Sequence, residues 1–211
     1  MLLFYVIPRK DTNPIAHRLL KKFHTLQGVF EATHEQLVEV DGVGENTAAF
    51  LRLIPGFSRR YLLSKQIKSV RLSSTAQIGD FMAPYFIGKT EETVYLLCLD
   101  ARNMPISCEP IHTGTATAVE ICTPKIVSEA LKKNAVSVII AHNHPKGFSI
   151  PSNNDITVTL ALRDALEKVK IRLIDHIIIS DPLDGSDCVA DFISMADTGL
   201  FLKQKTSKEE E

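Results

Sequence analysis

The pattern of apolar and polar positions divides the chain into a helical first third and a longer part in which strands and helices alternate. From Asn13 to Phe23 the apolar residues recur at helical spacing, and Asn13-Pro14 supplies a cap followed by a first-turn proline. Similar spacing predicts helices over residues 26–32, 34–38, 45–54 and 58–70. We therefore expect a helical domain over residues 1–72. Its first residues, 1–7, read as an apolar half-helix without a cap, from which we expect that further residues precede them.

Beyond residue 72 the pattern changes to short β-branched runs separated by helical stretches. A polar linker at 73–78 leads into a short helix at 77–82, and apolar runs predict strands at 93–99, 107–111, 136–141 and 172–180. Helical spacing predicts helices at 124–134 and 156–168. We predict an α+β (mixed α/β) domain over 79–203, with one sheet flanked by helices. The charged tail at 204–211 lacks apolar anchors and is predicted to be disordered.

The most informative polar residues follow the strand at 136–141. His142 and His144 are separated by one residue, so on a strand both imidazoles point to the same face. Asp155 follows a Pro/Ser/Asn loop and offers a third ligand. Two histidines and a carboxylate with an open fourth position are the ligand set of a catalytic zinc. The pattern predicts one zinc ion per chain, although a His-x-His pair by itself is a weak signal.

Ser152 and Asp155 also have a purely structural interpretation. Ser-x-x-Asp before a helical stretch is typical of a helix N-cap with an acidic residue at the third helical position. Both interpretations can hold together, because the start of a helix fixes Asp155 in space.

These residues carry a resemblance to a known family. The spacing H-x-H-x7-S-x2-D resembles the JAMM/MPN metalloprotease signature, and the surrounding sequence is similar to the bacterial RadC (UPF0758) family. The segments that match are GTATAVEICTPKIVSEALKKNAVSVIIAHNHPKG, PSNNDITVT, LIDHIIISD and FISMADTGLF. The resemblance covers residues from about Ile7 to Leu202 and implies a JAMM/MPN-like sheet with cytidine-deaminase-like layering. Lys146-Gly147-Phe148 departs from the family, in which a small polar and an acidic residue are frequent.

A zinc hydrolase also needs a proton shuttle. Position alone leaves several carboxylates open: Glu91, Glu92, Glu109, Glu120 and Asp175. The resemblance implies a base about eight residues before the end of the first core strand, which selects Glu92, with Glu91 as the alternative if the register slips by one.

We expect the other polar residues near the histidine motif to support the site rather than to bind the metal. Ser152 is expected to stabilise the oxyanion of a tetrahedral intermediate. His176 is predicted to be a hydrogen-bonded core residue rather than a fourth ligand, and Asp175 to orient a neighbour. His112 is expected near the cleft, and the resemblance implies a substrate-facing loop at 113–115. Asn143 points to the opposite face and is expected to be structural. The resulting hypothesis is a hydrolase of peptide or isopeptide bonds.

The helical part suggests a different function. Residues 37–44, followed by Ala48 and Ala49, resemble a helix-hairpin-helix, in which Gly42 and Gly44 would let backbone N–H groups approach a DNA phosphate. Residues 1–72 hold 11 Lys/Arg against 6 Asp/Glu, an excess of five positive charges in a chain of net charge −1. The alternative hypothesis is a DNA-associated, repair-linked protein. Tight connections between helices also use glycine for packing alone. The motif therefore does not decide between DNA binding and a purely structural role for the two glycines.

Composition excludes several other classes of protein. The four cysteines are widely spaced and form neither a zinc knuckle nor a disulfide framework, and Cys98 is predicted to lie in the core. No apolar run approaches the ~18 residues of a membrane span, and the N-terminus lacks the features of a signal peptide. We expect a cytoplasmic protein that does not contact membranes.

Overall fold

The computed structural model describes residues 2–7, 11–65, 70–114, 118–145, 147–180 and 190–200 and divides the chain into two compact units between Lys65 and Gln66. The division lies seven residues before the predicted boundary at 72, because buried Leu72 packs into the core of the second unit. The predicted tail at 204–211 lies outside the described residues. No helix within the described ranges is both long and apolar enough to cross a membrane.

The first unit is helical, as predicted. Its helices in the described residues are α1 (Leu2–Val6), α2 (Asn13–Phe23), α3 (Leu26–Glu31), α4 (His34–Val38) and α5 (Glu45–Lys65). Local signals set the ends: at α4, Thr33 and Gln36 form a reciprocal capping box. The apolar faces of α2, α4 and α5 meet in a core that includes the fully buried Leu37 and Ala48.

The prediction of two helices at 45–54 and 58–70 was wrong, because α5 continues through Pro55. A proline within a helix removes one backbone hydrogen bond and costs about 3 kcal/mol, which disfavours but does not forbid continuation. Leu51 and Ile54 anchor the helix to the core just before the proline.

The second unit is the predicted mixed α/β domain. Its strands in the described residues are β1 (Thr93–Leu99), β2 (Pro105–Thr113), β3 (Ser137–His144), β4 (Arg172–Ser180) and β5 (Asp191–Ser194). Its helices are α6 (Thr75–Phe86), α7 (Ala118–Lys132) and α8 (Asn153–Lys168). The strands lie in the order β2-β1-β3-β4-β5. Only the β3–β4 pair is parallel in this sheet, and α8 provides the crossover between those two strands.

Helices cover both faces of the sheet. Leu96 and Ile140 point to the side where α7 and α8 pack, whereas Leu97 and Ile139 point to the side of α6. All seven residues of β1 are therefore buried, as in strands that are covered on both faces. His142 lies two residues after Ile140, so it faces the α7/α8 side.

Several predicted boundaries needed correction. The linker at 73–78 is wrong because α6 begins at Thr75 with Ser74 as its cap. The helix predicted from Pro124 begins at Ala118, and Pro124 lies within α7. Strand β3 extends past residue 141 to include both histidines, and α8 begins at Asn153 rather than at 156. Strand β5 was not predicted.

Candidate metal centre

The predicted ligands converge at the carboxyl end of β3. Strand alternation turns His142 and His144 to one face, and the first turn of α8 brings Asp155 opposite them. His142 Nε2 lies 2.9 Å from His144 Nε2 and 3.4 Å from Asp155 Oδ1, and His144 Nε2 lies 3.8 Å from Asp155 Oδ2. Such separations suit ligand atoms around an ion with bonds of about 2.0–2.2 Å. The three residues can therefore hold a metal ion, and they form the one such group in the part of the chain that the structure describes.

The start of α8 holds Asp155 in place. Ser152 caps the helix by accepting a hydrogen bond from the Asp155 N–H, and Asp155 Oδ2 accepts bonds from Ser152 N (2.8 Å) and Ser152 Oγ (2.6 Å). The structural interpretation of Ser-x-x-Asp is thus confirmed. The cap leaves Asp155 Oδ1 directed at His142. The oxyanion role of Ser152 stays a prediction, and its hydroxyl proton is engaged by Asp155 in this structure.

Both histidines are oriented through the ring nitrogen that faces away from the ligand cluster. His144 Nδ1 lies 2.9 Å from the carbonyl oxygen of Phe148, and His142 Nδ1 lies 2.7 Å from His176 Nε2. Burial lowers the pKa of His142 to about 4, against the opposing effect of the Asp155 carboxylate. Burial also lowers the pKa of His176 far below its usual range. His142 and His176 are therefore neutral at pH 7, and a neutral imidazole is the form that binds metal.

Glu92 lies beside this cluster, one residue before the start of β1. Val94 pairs with His142, so Glu92 continues the same face of the sheet. Glu92 is partly buried, whereas Glu91 is exposed. Burial raises the pKa of the Glu92 carboxyl; nearby His144 lowers it, Asp155 raises it further and His112 lowers it. The structure thus places Glu92 next to the ligands, as the prediction required, while its role as a base stays a prediction.

Asn143 connects the ligand strand to the segment that carries Glu92. The β1–β3 register ends at Val94 and His142, and the next contact is made by a side chain: Thr93 N–H donates to Asn143 Oδ1 at 2.8 Å. Asn143 Nδ2 donates to the carbonyl oxygen of Glu91 at 3.2 Å. On the other side, Gly114 N–H donates to the carbonyl oxygen of Glu92 at 2.9 Å. The backbone on both sides of Glu92 is therefore held in place.

The remaining predicted residues take different positions. His176 is a fully buried core residue bonded to His142 and Thr159, which confirms that interpretation. The Asp175 carboxylate accepts bonds from Ser194 Oγ, Ala196 N and His176 N, so it ties β4 to the turn after β5. His112 lies near Glu92, as expected. Thr115 and Lys146 lie outside the described residues.

The glycines of the helical unit lie in the turn between α4 and α5. Gly42 has φ +91°, and a Cβ atom there would lie 2.9 Å from two carbon atoms of the buried Ile15 side chain. Packing thus explains Gly42. Gly44 has open space where its Cβ would lie. The side chains of Asp41 and Glu45 beside the turn are 90% and 78% exposed. These contacts do not test DNA binding, which stays a prediction.

Sequence reasoning missed Thr159. This residue is fully buried on α8, four positions after Asp155, and its hydroxyl bonds both the Asp155 carbonyl oxygen and His176. The available signal was a threonine within the apolar face formed by Val158, Leu162 and Leu166. A buried hydroxyl requires a partner, and His176 was predicted to be a hydrogen-bonded core residue for which no partner had been named.

Comparison with known proteins agrees with this geometry. A family model for the RadC-like JAB domain matches residues 72–200, which include all the strands above and the ligand cluster. A UPF0758 protein of Fusobacterium nucleatum is 36% identical over 188 residues, covering 85% of this chain and 81% of the relative. The chain belongs to the RadC-like JAB domain family.

Other members of the family show the same extent of similarity. A UPF0758 protein of Paraburkholderia xenovorans is 33% identical over 186 residues, covering 88% of this chain and 72% of the relative. A UPF0758 protein of Burkholderia cenocepacia is 34% identical over 172 residues, covering 82% of this chain and 67% of the relative. Membership assigns the second unit a JAB (JAMM/MPN) fold. The turn with Gly42 and Gly44 lies outside the matched range.

Proposed function

We propose that the protein is a zinc-dependent hydrolase of the JAMM type that cleaves a peptide or isopeptide bond. One observation carries the proposal: two imidazole nitrogens and a carboxylate oxygen converge beside a partly buried Glu92. Two histidines and one carboxylate are a donor set that suits zinc. When bound, zinc would polarise a scissile carbonyl and lower the pKa of a water molecule towards about 7.

The residues of the chain supply the remaining parts of the reaction. His142, His144 and Asp155 would hold the metal ion, with Asp155 Oδ1 left free by the helix cap. Glu92 would accept a proton from the attacking water and deliver it to the leaving amine. Its raised pKa, caused mainly by burial, suits a group that must both take and return a proton near neutral pH.

Ser152 would donate its hydroxyl to the developing oxyanion. For that role the hydroxyl must exchange its bond to Asp155 Oδ2 for one to the substrate. The role therefore needs a change of hydroxyl rotamer, which is a movement of low cost at an exposed residue.

The first test is elemental analysis of the purified protein after incubation with zinc and removal of excess metal. We expect about one zinc ion per chain in the wild type and none in His142→Ala/His144→Ala. His17→Ala/His24→Ala is the matched control, because it also removes two histidines but both are exposed and lie in the first unit. Absence of zinc from the wild type would overturn the proposal.

The bond that is cleaved requires a second test. The zinc-loaded protein is incubated with a peptide library and with isopeptide-linked peptides, and new amino termini are identified by mass spectrometry. We expect cleavage that depends on zinc and on Glu92. Cleavage of duplex DNA but of neither peptide set would replace the amide substrate with a phosphodiester.

A DNA-associated function is the second candidate. It is favoured by the turn before α5, where Gly44 leaves the backbone accessible at a helix N-terminus. The exposed carboxylates of Asp41 and Glu45 beside the turn oppose phosphate binding. Binding through this turn predicts an affinity that falls steeply with salt concentration.

A further inference from the structure

A chain of buried hydrogen bonds joins two of the metal ligands through residues that do not belong to the ligand set. Thr159 Oγ1 lies 2.5 Å from the Asp155 carbonyl oxygen and 2.5 Å from His176 Nδ1. His176 Nε2 then lies 2.7 Å from His142 Nδ1. Thr159, His176 and His142 have no exposed surface. This series of hydrogen bonds therefore runs from α8 through β4 to β3 without contact with solvent.

The carbonyl oxygen at one end fixes the direction of every bond in this chain. Asp155 C=O can only accept, so the single hydroxyl proton of Thr159 must lie between Thr159 Oγ1 and that oxygen. The proton in the next contact must then come from His176 Nδ1. His176 has no exposed surface, and among the described residues its two ring nitrogens contact only uncharged partners, the Thr159 hydroxyl and the His142 ring. A buried ring without a charged partner is uncharged, so Nε2 carries no proton and can only accept. His142 Nδ1 must therefore carry a proton and donate it to His176.

Among the described residues, Thr159 has two other contacts that could accept its proton, His176 Nδ1 at 2.5 Å and the Met195 Sδ atom at 3.7 Å. Donation to His176 Nδ1 would leave the Thr159 and Asp155 oxygen atoms 2.5 Å apart with no proton between them. A thioether sulfur is a weak acceptor. Donation to it would also leave two oxygen atoms 2.5 Å apart with no proton between them. The bond to the Asp155 carbonyl oxygen therefore takes the proton.

The same reasoning applies to His144 in a single step. Its Nδ1 lies 2.9 Å from the Phe148 carbonyl oxygen, which can only accept, so Nδ1 carries the proton in that contact. In the neutral, metal-binding form of both rings the Nε2 atom is then a bare lone pair. These two lone pairs face each other at 2.9 Å beside the Asp155 carboxylate. A bound cation satisfies this arrangement, and a hydrogen bond between the two neutral rings does not.

We propose that Thr159 and His176 are positioning residues that fix the tautomer of His142 and so prepare its Nε2 for metal before metal is bound. The inference rests on the proposed metal site and adds residues that do not touch the ion. Hydrogen bonds that orient metal-binding histidines typically change metal affinity by about 10–100-fold when they are removed. Two backbone carbonyls, those of Asp155 and Phe148, thus determine the tautomers of both histidine ligands.

Three variants on α8 separate this role from general packing. Thr159→Val keeps the shape of the side chain but removes the hydroxyl, whereas Thr159→Ser keeps the hydroxyl. Thr157→Val is the matched control, because Thr157 makes the same kind of bond to the carbonyl four residues earlier (3.0 Å to Asn153 O) but is exposed. Urea unfolding of the metal-free proteins verifies that each variant is folded.

The first measurement is the tautomer of each histidine in the metal-free protein, read from ¹⁵N chemical shifts of the imidazole rings. We expect His142 and His176 in the Nδ1–H form in the wild type, in Thr159→Ser and in Thr157→Val. In Thr159→Val the His176 ring loses its acceptor, so we expect His176, His142 or both to change form. An Nε2–H tautomer of His142 in the wild type would overturn the proposal without any variant.

The second measurement is zinc affinity by competition with a chelator. We expect about 10–100-fold weaker binding for Thr159→Val and binding close to wild type for Thr159→Ser and Thr157→Val. Equal affinity of Thr159→Val and the wild type would contradict the inference. If the wild type binds no zinc, the metal proposal fails, while the tautomer measurement still decides the direction of the hydrogen bonds.

Discussion

The candidate metal centre and the turn at Asp41–Gly44 place their polar groups in opposite environments. At the centre, His142, Thr159 and His176 are fully buried, and each has a directed partner. At the turn, Arg18 pairs with the highly exposed Asp41 at 3.4 Å.

The difference shows which polar groups carry information about function. Burial of polar groups is costly unless each is satisfied, so a complete buried network indicates a requirement beyond folding. Exposed ion pairs contribute at most about 1 kcal/mol, and packing against Ile15 already accounts for Gly42. The buried centre is therefore stronger evidence about function than the turn. At the turn, an experiment must separate the packing role of the glycines from binding of DNA.

The largest expected effect is on the rate of cleavage at the candidate metal centre. Glu92→Gln removes the proposed proton shuttle but none of the proposed metal ligands, so we expect a fall in the cleavage rate of about 10²–10⁴-fold with zinc content unchanged. The measurement is the rate of cleavage of the best library peptide. Glu91→Gln is the control, because Glu91 is adjacent but exposed. Greater loss in Glu91→Gln than in Glu92→Gln would move the base by one residue.

A smaller effect is expected at Asn143. Asn143→Ala removes the acceptor of the Thr93 N–H and the donor to the Glu91 carbonyl oxygen. Displacement of Glu92 by this change would lower kcat by up to about 10²-fold, with zinc still bound. Faster hydrogen exchange of the Thr93 amide would report the lost bond directly. Unchanged hydrogen exchange of the Thr93 amide together with an unchanged kcat would contradict the role of Asn143 in positioning Glu92.

The turn is tested by two glycine variants with opposite expectations. Gly42→Ala forces a side chain into a positive φ and against Ile15, so we expect the free energy of unfolding to fall by about 1–3 kcal/mol. Gly44→Asp places a capping side chain in open space before α5 and should leave stability unchanged or higher. Urea unfolding measures both.

The Gly44→Asp variant also tests DNA binding. A carboxylate at residue 44 would repel a phosphate at the helix N-terminus, so Gly44→Asp should abolish any binding of duplex DNA that uses this turn. Binding is measured over a range of salt concentrations. DNA binding that survives in Gly44→Asp would exclude the turn as the contact.

A separate effect is expected on the pH dependence of stability without metal. Burial lowers the pKa of His142 and His176, so between pH 7 and pH 5 the unfolded chain binds more protons at these rings than the folded chain. Stability must then fall as the pH falls through about 6.5, by up to about 2 kcal/mol for each ring at pH 5. Urea unfolding of metal-free Glu92→Gln measures this, since that variant lacks the opposing titration of the raised Glu92 carboxyl. Constant stability from pH 7 to 5 would show that the rings are accessible to protons.

The sequence predicted the elements that local signals define. Helix α4 and strands β1 and β4 have the predicted bounds, because caps and apolar periodicity act over a few residues. Helix α2 ends at Phe23 as predicted, but its N-cap is Thr12 rather than Asn13. Predictions failed where packing outweighs a local rule. Helix α5 passes through Pro55, and α7 includes Pro124.

The sequence by itself predicted the candidate ligands His142, His144 and Asp155, since alternation along one strand aligns the two histidines and one helix cap fixes the carboxylate. Only the tertiary structure decided which groups support them. Asn143 reaches Thr93, 50 residues away along the chain, and His142 reaches His176, 34 residues away. Such partners are set by strand register and crossover, in which a shift of one residue turns every side chain to the opposite face. No local pattern encodes that choice, because it depends on which strands become neighbours.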